Sequence, residues 1–99
     1  MPYTNNFLAK RFLEADVNDR VNNAAVLPVA GIAMRALNAI QDARPEHQIL
    51  GAAALFVLLV ERFNMSPQEI MTRVKNIMNY AEGKRPEFAA VADYMRYEL

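Results

Sequence analysis

The run ILGAAALFVLLV, residues 49–60, constrains this chain more than any other feature. Its 12 consecutive apolar residues fall short of the roughly 20 needed to span a bilayer. His47 and Gln48 precede it, and Glu61 and Arg62 follow. The run therefore predicts a buried helix over about 46–63 and argues against a membrane anchor. A helix apolar on all sides needs cover around its whole girth. Gly51, Ala52, Ala53 and Ala54 make its first half thin, which lets neighbours cross closely. Pro45 suits the first helical position, and Glu46 lies beside the positive end of the helix dipole.

The flanking sequence supplies amphipathic helices for that cover. Residues 24–43 are Ala-rich and helix-prone. Pro28 cannot sit inside a regular helix, so the expected start is near 28. Val29, Ile32, Ala33, Ala36, Leu37 and Ile40 then share one face. In NMSPQEIMTRVKNIMNYAEG, residues 64–83, both helix ends are marked. Ser66 and Glu69 form a capping box around Pro67. Ile70, Met71, Val74, Ile77, Met78 and Ala81 make one stripe at helical period. Gly83 suits a left-handed stop, and Pro86 follows three residues later. The spacing predicts a helix over 66–82. A last helix begins near Pro86, with Phe88, Val91, Ala92, Met95 and Leu99 facing inward.

Residues 1–23 read differently. FLAKRFLEA can form two turns of helix, whereas DVNDRVNN is rich in Asp and Asn, which favour turns and caps. The chain thus divides into an N-terminal arm or short helix with a loop, 1–23, and a helical domain, 24–99. No β-branched alternating run occurs. The expected fold is all-α: a small bundle of four to five helices around a central apolar helix.

Composition narrows the function. At 99 residues the chain is one domain. Its 54% hydrophobic fraction exceeds the roughly 45–50% of ordinary soluble domains. This implies either a dense core or apolar surface that needs a partner. The 11 basic and 11 acidic residues balance, 4 against 4 before Arg44, 2 against 2 up to Ser66, and 5 against 5 beyond. No segment forms a basic patch or an acidic tail, so nothing steers the chain to nucleic acid or anionic lipid. The absence of cysteine excludes disulfides, thiol catalysis and cysteine zinc sites. It fits an intracellular or virion protein. MPYTNNFLAKRF lacks the apolar stretch of a signal peptide, so secretion by that route is not expected.

The capped helix follows an apolar helix after a short turn, where a DNA-reading helix would sit. Its exposed face carries Arg73, Lys75 and Asn76, which are able in principle to contact bases and phosphates. Phosphate contacts dominate such affinity, however, and the chain has no surplus positive charge. Packing is the stronger reading of this helix, and DNA binding is the alternative.

No constellation supports catalysis. His47 is the only histidine and has no nucleophile or orienting carboxylate in an obvious arrangement. One His without Cys does not make a zinc site. The stretch EADVNDRVNN begins like a calcium loop at Asp16 and Asn18. It then puts Arg20 at the third ligand position and Leu27 at the closing one. No catalytic residue, metal or cofactor is assigned. Five of the six methionines, at 34, 65, 71, 78 and 95, read as core packing in preference to a plastic groove. Tyr80 and Tyr97 are the aromatics assigned to a contact surface.

Two stretches, LLVERFNMSPQEI and KNIMNYAEGKRPEFAAVADYMRYEL, resemble small proteins of tailed bacteriophages. The likeness covers the C-terminal half. It implies a phage accessory or virion protein that acts by binding, and it transfers no catalytic residue.

The expected function is a non-enzymatic protein–protein interaction module that works as a homo-oligomer, most simply a homodimer. Three amphipathic helices barely enclose residues 49–60, so a second copy is expected to complete the shell. The arm, through Phe7, Leu8, Phe12 and Leu13, is expected to reach across a neighbour. The partner is the chain itself, with another phage or host protein as a further option. Nucleic acid is disfavoured and a membrane is not expected. Location in the host cytoplasm or the virion follows. The rival readings are a DNA-binding regulator using helix 66–82 and an inhibitor that docks on a host enzyme.

Overall fold

A computed structural model describes residues 16–99. These residues form five helices and one two-residue β-hairpin. The helices are α1 (Asp16–Asn22), α2 (Val26–Ile40), α3 (Pro45–Arg62), α4 (Pro67–Met78) and α5 (Pro86–Glu98). Strands β1 (Asn79–Tyr80) and β2 (Gly83–Lys84) join α4 to α5. The all-α bundle expected from the sequence is the fold.

Three helices start where proline places them. Pro45, Pro67 and Pro86 each occupy the first turn of their helix, with Arg44, Ser66 and Arg85 as extended N-caps. Ser66 Oγ accepts from the Glu69 backbone N–H at 3.4 Å, the serine half of the expected capping box. Pro28 behaves differently from expectation. Helix α2 begins two residues before it, at Val26. The first-turn N–H groups of a helix have no intrahelical acceptor, so proline there costs no hydrogen bond.

The turn from α3 to α4 is a Schellman closure. The Met65 N–H donates to the Val60 carbonyl at 2.8 Å, and the Asn64 N–H donates to the Glu61 carbonyl at 3.2 Å. Asn64 adopts φ 55°, the left-handed conformation this motif requires. Asparagine tolerates that region better than most residues do.

Two segments depart from the sequence reading. Residues 16–22, expected as loop, are helical. Asp16 and Arg20 pair across one turn at 3.0 Å, and Asn23 Nδ2 donates to the Asp19 carbonyl at 2.9 Å. Local side-chain bonds thus support a helix in an Asp- and Asn-rich stretch. Helix α4, expected to run to 82, stops at Met78. Asn79 is extended at φ −129° and ψ 155°, and its side-chain amide donates back to the Lys75 carbonyl at 2.9 Å. This is the competition with the helical backbone that makes asparagine a weak interior residue. The chain then turns through Ala81 and Glu82, with Asn79 opposite Lys84 and Tyr80 opposite Gly83. Gly83 sits at φ 133°, which side-chain-bearing residues rarely adopt. Ala81 therefore lies in a turn and not on the helical stripe.

The core is small. Among the described residues, Ala30 and Leu37 of α2, Val60 of α3, and Phe88 and Val91 of α5 are buried. Helix α2 packs on α5. The α2 face that packs is centred on Ala30 and Leu37, while Ile32 and Ala36, expected inside, are exposed. Met95 and Leu99, expected on the inner stripe of α5, are also exposed. Tyr94 completes the α2–α5 contact. Its hydroxyl lies 2.9 Å from both Asn38 Oδ1 and Gln41 Oε1. One phenolic proton serves one acceptor, and the other amide completes the triangle when its NH2 group donates to the phenolic oxygen.

Candidate interaction surface

Helix α3 has the expected bounds but not the expected cover. Residues 49–55 are exposed at every position. Ile49 is 69% exposed and Leu50 68%; further along, Leu55 is 55% and Leu58 62% exposed. Val57 and Leu59 are exposed as well. Burial on this helix is confined to Val60, with Phe56 and Gln48 half-buried. The expectation that residues 49–60 are enclosed along their full girth therefore fails within a single chain. The reason is geometric. Helix α3 has 18 residues and is about 27 Å long, whereas α4 has 12 residues and spans about 18 Å. With α2 and α5 packed on each other, the first half of α3 is left uncovered.

The exposed apolar residues lie all round α3: Leu55 and Leu58 face away from Val60, Leu50 and Val57 lie on one flank, Leu59 on the other, and Ile49 on the Val60 side at the uncovered end. At about 3.6 residues per turn, Phe56 and Val60 point to one side of α3. His47, Gly51, Leu58 and Arg62 lie on the opposite side, with Ala54 on one flank of that side and Leu55 on the other. A contiguous apolar patch of more than a few hundred Å² is uncommon on a monomer and marks an interaction site.

Helix α3 is nevertheless held at its start. Gln48 Nε2 donates to the Ile40 carbonyl at 3.0 Å and to the Gln41 carbonyl at 3.2 Å. These are among the orphan carbonyls at the end of α2, which has no basic residue in its last turn. Arg44 and Glu46 form an ion pair at 3.0 Å beside the same corner.

The other residues singled out from the sequence lie elsewhere. Tyr80 is on β1, 45% exposed, with the Arg85 guanidinium 5.8 Å from its ring centre. Tyr97 is near the end of α5 and 80% exposed. Phe7, Leu8, Phe12 and Leu13 lie outside the described residues. Arg73 and Asn76 line a polar groove of about 350 Å³ between α1 and α4, with Asn18, Asn22, Gln68, Glu69 and Thr72. Lys75 is not part of that groove and is exposed. His47 is exposed in the first turn of α3. Among the described residues no group of three His, Cys, Asp or Glu side chains is arranged to hold a metal ion. No single described helix is long and apolar enough to cross a membrane. Two bent pairs, α1 with α2 and α3 with α4, pass on length and composition.

Sequence reasoning identified the apolar helix but not which side of it packs, because every position from 49 to 60 is apolar. No protein-family model matches the chain, and no curated protein or solved structure matches it.

Proposed function

We propose that this chain is a non-enzymatic protein–protein interaction module that works as a homo-oligomer, most simply a two-fold dimer, with α3 as its principal contact. The observation that carries this reading is the bare apolar length of α3. Six large aliphatic residues on one helix stand 44–69% exposed. Water contact with that surface costs roughly 25 cal/mol per Å² relative to burial, which favours a partner. The zero net charge supports an apolar partner over an anionic one. A role as a phage accessory or virion protein accords with this reading and rests on the likeness of the C-terminal half alone.

The test is self-association of Leu55→Glu and Leu58→Glu variants by size-exclusion chromatography with light scattering. Wild type is expected to elute as a dimer or larger, and each variant as a monomer of unchanged helicity by circular dichroism. Variants that associate like wild type would remove α3 from the contact.

A further inference from the structure

We draw no further inference here: the strongest candidate, the polar groove between α1 and α4, is lined by exposed carboxamide and hydroxyl side chains with Arg73 balanced by Glu69, so nothing in it selects a ligand, and the bare face of α3 belongs to the surface already described.

Discussion

The Gln48 side-chain amide of α3 donates to the Ile40 carbonyl of α2 at 3.0 Å, so the first turn of one helix closes the end of the one before it. It reaches the Gln41 carbonyl at 3.2 Å as well. Gln48→Ala is expected to cost about 1 kcal/mol, the usual net worth of such a bond. In a domain of this size that corresponds to a fall of about 4–8 °C in Tm. Gln48→Glu should be worse, because it removes the donor and brings negative charge to a helix C-terminus. Thermal melts at one fixed protein concentration check both, since association shifts apparent stability.

Tyr94 links α5 to α2 through Asn38 and Gln41. Tyr94→Phe keeps the ring and removes the hydroxyl, and should destabilise by about 1 kcal/mol in urea unfolding. Combining it with Asn38→Ala should cost less than the sum of the two single changes, because both remove the same contact.

Two residues with positive φ should respond in opposite ways. Asn64 carries a side chain at φ 55°, so Asn64→Gly should stabilise by a few tenths to about 1 kcal/mol. Gly83 sits at φ 133° with open space where a Cβ would be, so Gly83→Ala is penalised by the backbone alone, by about 1–3 kcal/mol. Chemical denaturation of the two variants side by side measures both signs.

Glycine on α3 separates chain stability from association. A Cβ added at Gly31 or Gly51 meets nothing within 4 Å in the single chain. Alanine at either site should favour its helix by about 0.5–1 kcal/mol. With α3 as the proposed contact between copies, Gly51→Glu should weaken self-association by at least tenfold, whereas Gly31→Ala should leave it unchanged. Dilution series followed by light scattering give the dissociation constants that decide this.

Much of the architecture was legible because it depends on local chemistry. Pro45, Pro67 and Pro86 mark helix starts through a fixed φ and a missing donor, which act wherever the residue stands. Ser66 acts through one bond to the Glu69 N–H. Helix α4 ended four residues early because Asn79 competes for the Lys75 carbonyl, a contest that the apolar spacing of 70–81 does not register. The left-handed turn at Asn64 was missed because asparagine marks it less clearly than glycine does. Cover over 49–60 was misjudged for a different reason. Hydropathy states which residues avoid water, but not whether their own chain or another molecule shields them. Leu50, Leu55 and Leu58 read as core in sequence and lie on the surface of the single chain. Which side of α3 packs, the one at Val60, required the helix axis and its neighbours.

The central claim is that α3 is bare in one chain and covered in the working assembly. Sedimentation equilibrium of the wild-type protein, from micromolar to millimolar concentration, tests it most directly. The expected result is a mass that rises to twice 11.2 kDa or more with concentration. A mass of 11.2 kDa across the whole range would contradict it.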